Sequence, residues 1–194
     1  TLGDETQSSG YLGWSLFLYN SDREQIGKTE LTQGTASVTI PEQGFDPGTF
    51  YIQVKTNAMT NVNWSGAEQY TLTADFTPTD STYESEPNDS TSRADVMLPN
   101  TPVSGKLSDE SDVDYYKVTL DSAAQFSLCL EHALPDDLSS SGTPWTVTCY
   151  PFDEKTGTLR EDKAVTLDAA LGKTKTESET VLVRGGTYYV EVRH

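Results

Sequence analysis

The 194-residue chain carries 30 acidic and 13 basic residues, which gives it a formal net charge of −17. A field of this sign repels nucleic acid and anionic lipid and attracts cations, so the composition argues against a nucleic-acid partner. Hydrophobic residues make up 35% of the chain without any apolar run of spanning length, so we expect a buried core and no membrane span.

The first half of the chain is predicted to be all-β, because apolar and polar residues alternate in short segments. These segments are residues 14–19, 36–40, 50–54 and 70–74. Residues 78–83 follow them, and their polar composition with a proline at the start is typical of a linker. We therefore predict a first β-module at residues 1–77 and a linker at residues 78–83.

The second half continues the alternation, with Gly, Pro, Asp and Ser clusters between the segments. The alternating segments are residues 114–120, 125–130, 145–150, 180–183 and 187–192. Only residues 92–97 and 167–171 carry helix-favouring side chains without alternation, and both are too short for an isolated helix. The sequence therefore predicts an all-β fold, an antiparallel β-sandwich, with a second module at residues 84–194.

The two modules share an internal repeat. Residues 48–54 match residues 186–192, and the strand that begins at Trp14 matches the one that begins at Trp145. Only thirteen residues precede Trp14, so the first copy is expected to lack its front. The second copy is expected to lack a counterpart of residues 68–76, which close the first. Because a missing strand leaves an open sheet edge, we predict that a strand from the other copy or from a neighbouring molecule replaces it.

The two cysteines lie in segments that both read as strands. Cys129 belongs to residues 126–130 and Cys149 to residues 145–150, and the two segments could be neighbours in one sheet. A disulfide needs Cα atoms about 4.4–6.8 Å apart, which strand pairing alone does not guarantee. A Cys129–Cys149 disulfide and two free thiols are therefore both open at this point.

Two short segments beside predicted strands are rich in oxygen-bearing side chains. They are residues 84–89 and residues 112–116. Calcium takes six to eight oxygens at about 2.3–2.6 Å from carboxylates, amides, backbone and water, and segments of this kind can supply them. The alternative is a simple turn whose Asn and Asp side chains bond the backbone, with solvated carboxylates at a strand start.

No familiar catalytic pattern is present in the sequence. The histidines, His132 and His194, are not accompanied by the strand-to-helix glycine motif of a serine hydrolase. The cysteines lack paired histidines for zinc, and the glycines form no phosphate loop after a strand. Thirty acidic residues make chance carboxylate pairs unavoidable, so a glycosidase signal carries no weight. We expect a protein that is not an enzyme.

Aromatic side chains are the candidates for ligand binding. By strand alternation, one tyrosine of each Tyr-Tyr pair faces inward and the other outward, which leaves Tyr115 or Tyr116, and Tyr188 or Tyr189, on a sheet face. Of these, Tyr116 and Tyr188 are taken as the candidate ligand-binding residues. Trp64 lies in a polar segment, where an exposed indole could stack on a sugar or a proline. The alternative for Trp64 is a loop side chain that folds over the end of the sandwich.

Four segments, taken in order, carry a resemblance to a known family. They are residues 86–90, 105–107, 112–118 and 186–190. Together they are similar to the bacterial pre-peptidase C-terminal domain, with residues 84–194 as a nearly complete copy and the first module as a partial one. The resemblance implies a jelly-roll-like β-sandwich appended to secreted peptidases and other surface enzymes. Collagen-binding members of the family, in clostridial collagenases, bind calcium through a matching acidic segment.

The resemblance also implies a set of metal ligands and a function. The residues that match the acidic segments are Glu84, Glu86, Asn88, Asp89, Asp112 and Asp114. The implied function is a non-catalytic, calcium-stabilised accessory module of a secreted or cell-surface bacterial protein. Such a module would bind a substrate or matrix, either protein or polysaccharide, beside a parent peptidase or surface enzyme domain. The alternative is a structural stalk or processed segment without a ligand.

Overall fold

The fold is taken from a computed structural model of the chain. It describes residues 2–4, 14–31, 37–56, 70–78, 82–108, 111–132, 145–169 and 172–194. The chain divides into two compact units, residues 1–79 (unit 1) and residues 80–194 (unit 2). The division falls inside the predicted linker. Among the described residues, no helix has the length and apolar character that a membrane span requires.

The described part of unit 1 contains six strands in two antiparallel sheets. They are β1 (Leu2–Asp4), β2 (Trp14–Tyr19), β3 (Gln25–Leu31), β4 (Ser37–Val38), β5 (Tyr51–Thr56) and β6 (Tyr70–Leu72). The sheet orders are β3-β2-β5 and β4-β1-β6. The buried cluster of this unit is formed by Trp14, Leu16 and Leu31, and each buried aliphatic or aromatic side chain contributes about 1.5–3 kcal/mol to folding.

The described part of unit 2 is also nearly all β. Its strands are β7 (Asp95–Val96), β8 (Val113–Leu120), β9 (Ala124–Phe126), β10 (Cys129–Glu131), β11 (Thr146–Asp153), β12 (Thr158–Leu159), β13 (Val165–Asp168), β14 (Lys175–Glu177), β15 (Val181–Val183) and β16 (Gly186–Arg193). One 3-10 turn spans Glu161–Lys163. The all-β fold predicted from the alternation is confirmed, and the helix-favouring segment at 92–97 instead contributes β7.

The main sheet of unit 2 has the strand order β12-β11-β16-β8-β7, and β13 also pairs with β11. Two small sheets, β10-β14 and β15-β9, supply the side chains that cover its inner face. Alternate residues of the long strands point inward, as the period-two pattern predicts. The buried cluster consists of Tyr116, Val118, Leu128, Val147, Cys149, Leu167, Tyr188 and Val190.

Strands with matching sequences in the two units pair in the same register. In unit 1, β2 pairs with β5 so that Leu16 lies opposite Val54. In unit 2, β11 pairs with β16 so that the matching residues, Val147 and Val192, lie opposite each other. The strands β1 and β4 likewise pair as β10 and β14 do. Among the described residues, β8 has no counterpart in unit 1 and β6 has none in unit 2.

Both cysteines are free thiols. Cys129 is exposed in the β10-β14 sheet and Cys149 is buried in the main sheet. The expectation that their strands are neighbours in one sheet is wrong, because β10 pairs with β14 and β11 pairs with β12, β13 and β16. The disulfide alternative is therefore not formed.

Candidate metal centre

The segment at residues 83–89, named here the leading segment, runs beside the start of β8 and is fixed there through its backbone. Tyr83 forms a parallel β-bridge with Ser104, and Glu84 donates its N–H to the Ser104 carbonyl at 2.9 Å. Further along, the Asn88 carbonyl accepts the N–H of Tyr115 at 3.0 Å. These contacts bring the two acidic segments of the sequence together. They also show that unit 2 begins inside the predicted linker.

Glu84 is the deepest carboxylate of the leading segment, with 2% of its surface exposed. Its Oε1 accepts the backbone N–H of Lys106 at 2.5 Å, and its Oε2 accepts the Tyr116 hydroxyl at 2.7 Å. Gly105 permits this approach, because a Cβ at that position would collide with the Glu84 carboxyl group and the Tyr116 hydroxyl. The carboxylate is thus held between a loop backbone and the hydrophobic core.

Asp95 is a positioning residue that the sequence reasoning missed. Its Oδ2 accepts the N–H of Ser85 at 2.7 Å and the Asn88 Nδ2 at 3.5 Å. Because the Asn88 amide nitrogen points to Asp95, its oxygen Oδ1 is directed elsewhere and stays unpaired. No local sequence signal marks this role, since Asp95 lies in the segment with helix-favouring composition.

The predicted carboxylates come together in two groups of three, which form the acidic cluster. In each group the nearest carboxylate oxygens lie within 4.8 Å of one another. The first group is Glu84, Glu86 and Asp114, and the second is Glu86, Asp89 and Asp112. Glu86 belongs to both. Asp112, which belongs only to the second group, accepts the backbone N–H of Ser108. All five predicted carboxylates are therefore neighbours, with Asn88 in the same segment.

Several oxygens of this cluster are buried without a hydrogen-bond partner among the described residues. They are Glu86 Oε1, Asn88 Oδ1 and Asp114 Oδ1. Asn88 is 0% exposed and Asp114 is 2% exposed, so solvent does not satisfy them from outside. A buried polar atom left unpaired costs about 1–3 kcal/mol, and more when it is charged. Three such atoms, in residues of the leading segment and of β8, are donors that a bound cation could pair.

Two carboxyl groups of the acidic cluster have raised pKa values. Burial, followed by the charges of Asp112 and Glu84, raises the pKa of Glu86 from 4.5 to about 7. Burial, followed by the charge of Glu84 and a hydrogen bond with it, raises the pKa of Asp114 from 3.8 to about 9. The main causes in both cases include no basic side chain, so the repulsion between carboxylates is left uncompensated.

The donor set defines which kind of ion fits. Both groups contain carboxylates only, without histidine or cysteine, and the unpaired Asn88 Oδ1 adds an amide oxygen. Oxygen-only sets suit hard cations, whereas zinc and copper sites usually include imidazole or thiolate. The arrangement can therefore bind a divalent hard cation, with Glu86 able to serve either group.

The tyrosines expected on the surface lie in the core instead. Tyr116 and Tyr188 are both buried, and the Tyr188 hydroxyl donates to the Arg184 carbonyl at 2.7 Å. Their side chains face inward because the core pattern of β8 and β16 falls on residues 116, 118, 188 and 190. The prediction that they are exposed is corrected. Trp64 lies outside the described residues.

The opposite members of the tyrosine pairs face the outer side of the main sheet. Tyr115 donates its hydroxyl to Glu191 at 2.6 Å, and Tyr189 packs against Phe152 with ring centroids 5.3 Å apart. Tyr189 is nevertheless buried, and Tyr115 is half-buried. The Tyr-Tyr pattern thus predicted one inward residue per pair correctly but assigned the wrong member.

Comparison with known proteins adds no assignment, because no family model and no curated protein matches the chain.

Proposed function

We propose that unit 2 is a non-catalytic accessory module of a secreted or cell-surface bacterial protein, stabilised by calcium at the acidic cluster. One observation carries the metal part of this proposal. Five carboxylates from two separate segments come together, with Asn88 in one of these segments, and three oxygens of these residues are buried without a partner in the described part of the chain. The alternative, a simple turn with solvated carboxylates, does not explain why these oxygens are buried.

Calcium fits the cluster better than smaller divalent ions. It accepts six to eight oxygens with flexible geometry, whereas magnesium demands an octahedron and keeps several waters. Each group offers three carboxylates, which can bind through one oxygen or two, and the Asn88 amide oxygen adds a further ligand. Because Glu86 is shared, the cluster provides for one ion or for two adjacent ones, and titration gives the number.

The carboxylates of the acidic cluster would join two parts of unit 2 by sharing a bound ion. Bound calcium supplies the positive charge that lets the neighbouring carboxylates stay ionised. The leading segment then stays against the start of β8 through side chains as well as through the Asn88 and Tyr115 backbones. Since such a site exists only in the folded chain, its binding free energy adds to the stability of the fold.

The accessory role is supported by the acidic cluster together with the sequence resemblance. The two units pair their strands in the same register, which fits a pair of related modules. We propose that the pair acts beside a parent peptidase or surface enzyme, as a binder of a matrix protein or polysaccharide. A screen of the full chain on collagen and glycan arrays tests this part of the proposal. Saturable binding supports it, whereas the absence of binding on both arrays favours the alternative of a structural stalk.

Isothermal titration of the chelator-treated full chain with calcium tests the metal site. We expect saturable heat that is abolished in the double variant Asp89→Ala/Asp112→Ala. The matched control is Asp162→Ala/Glu177→Ala, which removes the same charge from exposed, ion-paired positions and should bind calcium as the parent does. Absence of heat in the parent protein, or equal loss in both variants, would exclude the proposed site.

A further inference from the structure

The outer edge of β5 pairs with no other strand in the part of unit 1 that the structure describes. On one side β5 pairs with β2 over its whole length, from Tyr51 to Thr56. On the other side no strand pairs with it among the described residues of the unit. A strand edge of six residues carries unpaired N–H and C=O groups, which makes it a template for pairing with another chain.

Unit 2 shows what covers the equivalent edge. The repeat matches β5 to β16, and β8 pairs with β16 along eight residues. Under that cover Val190 is 5% exposed and Tyr189 is 7% exposed. At the matching positions of β5, Ile52 is 40% exposed and Tyr51 is 48% exposed. Without a strand in the place of β8, β5 thus leaves two large side chains, Tyr51 and Ile52, partly exposed to solvent.

The direction of the backbone groups follows from the same comparison. The Lys117 carbonyl accepts the N–H of Met97 at 3.0 Å, so the main chain of Lys117 faces β7. Since main-chain groups alternate along an antiparallel strand, those of Tyr116 face β16 and its partner Val190. Ile52 matches Val190 in the repeat. The N–H and C=O of Ile52 therefore point to the open edge of β5.

We propose that the open edge of β5 binds an antiparallel strand with the chemistry of β8, donated by a separate polypeptide. Such a strand is extended and carries aromatic or aliphatic residues at alternate positions on the side of the core. The register of β8 on β16 places its residue equivalent to Tyr116 opposite Ile52, and the one equivalent to Asp114 opposite Val54. This inference concerns unit 1 and does not depend on the proposed metal site.

A synthetic peptide of residues 111–121, labelled with a fluorophore, is the probe. Titrated with the full 194-residue chain, it should show saturable anisotropy and one-to-one stoichiometry. Two N-methylated peptides provide the matched pair. Methylation at Tyr116 and Val118 blocks groups that face the edge and should weaken binding at least about tenfold, a loss of about 1.4 kcal/mol. Methylation at Tyr115 and Lys117 blocks groups that face away and should leave binding within about twofold.

Amide hydrogen exchange locates the peptide on the chain. Binding at the proposed edge should slow exchange at Ile52 and Val54 and leave β16 unchanged. The proposal is overturned if the peptide shows no saturation at about 1 mM, if both methylated peptides bind equally, or if protection appears in unit 2 instead. It is also overturned if the chain alone forms a concentration-dependent dimer that already protects Ile52 and Val54, since a second copy would then occupy the edge.

Discussion

Two sets of acidic residues in unit 2 have pKa values that are shifted in opposite directions. At the surface, the Arg160 guanidinium bonds Asp162 and lowers the pKa of that carboxyl, and Lys175 does the same for Glu177. In the acidic cluster, burial and neighbouring carboxylates raise the pKa of Glu86 to about 7 and that of Asp114 to about 9. The difference teaches that a basic side chain sets the pKa of Asp162 and of Glu177, whereas burial and neighbouring carboxylates set those of Glu86 and Asp114.

The largest expected effect is the removal of calcium. At free calcium about 1,000-fold above the dissociation constant, binding should add about 4 kcal/mol to the stability of unit 2 and raise its Tm by more than about 10 °C. Calorimetry with calcium and with EDTA measures this. The unit 1 transition is the internal control, since both groups of three carboxylates that could hold a metal among the described residues belong to unit 2. Equal transitions in both buffers contradict the comparison.

Neutralising one buried acid should separate metal binding from stability. Because the pKa of Asp114 rises from 3.8 to about 9 on folding, metal-free unit 2 must bind a proton there at pH 7, and Asp114→Asn, which needs none, should stabilise it by about 1–3 kcal/mol. The same variant should lose most of its calcium response. Urea unfolding in EDTA and in calcium gives both values. The exposed control Asp162→Asn should change neither by more than about 0.5 kcal/mol. A destabilised metal-free Asp114→Asn protein would show that the carboxylate is already compensated.

The pH dependence of the metal-free protein should have the sign of raised carboxyl pKa values. A carboxyl whose folded pKa exceeds its unfolded value stabilises the fold fully below the unfolded value and loses that stabilisation as pH rises through the folded one. Stability of unit 2 in EDTA should therefore fall from pH 4.5 to about pH 7 through Glu86, and from pH 3.8 to about pH 9 through Asp114.

Calcium should reverse this trend, since the metal binds the ionised carboxylates and releases their protons. From Glu86 alone, the apparent calcium affinity should rise about tenfold between pH 6 and pH 8. Calorimetric titration at several pH values measures it. A flat stability profile in EDTA together with a flat calcium affinity would place the Glu86 pKa in its ordinary range.

The last expected effect, no larger than that of Asp114→Asn, comes from one added methyl group. Gly105→Ala places a Cβ against the Glu84 carboxyl and the Tyr116 hydroxyl, so unit 2 should lose about 1–3 kcal/mol and bind calcium more weakly. Gly48→Ala is the matched control, because its Cβ would meet only the Asp46 carbonyl at 3.7 Å, an ordinary contact. Equal stability of the two variants in urea would show that the Glu84 carboxyl can shift without cost.

The fold class followed from the sequence because period-two alternation is a local property. The strands β2, β5, β8, β11 and β16 were found in this way. The strands β3 and β14 were missed, since their residues are mainly polar or charged and carry little alternation. Strands of that composition are fixed by their neighbours rather than by their own pattern.

The candidate site divides in the same way. The acidic residues were found because each short segment is unusual in itself, and the structure brings them together. Asp95 and Gly105 were missed, because their roles depend on contacts with residues 84–88, which lie far from them in the chain. The assignment of Tyr116 and Tyr188 failed because adjacent tyrosines leave the inward face of a strand undecided until its partners are known.

Asn88 and Arg193, which lie near the two ends of unit 2 in sequence, are both next to the start of β8. The Asn88 backbone bonds Tyr115, and Arg193 lies opposite Val113, two residues earlier on the same strand. A tensile load applied between residues 88 and 193 would therefore be carried by the first residues of β8. The rest of the sandwich would bear little of it. The acidic cluster sits at that crossing, so an ion held there would act as a mechanical clasp that resists peeling of the sheet.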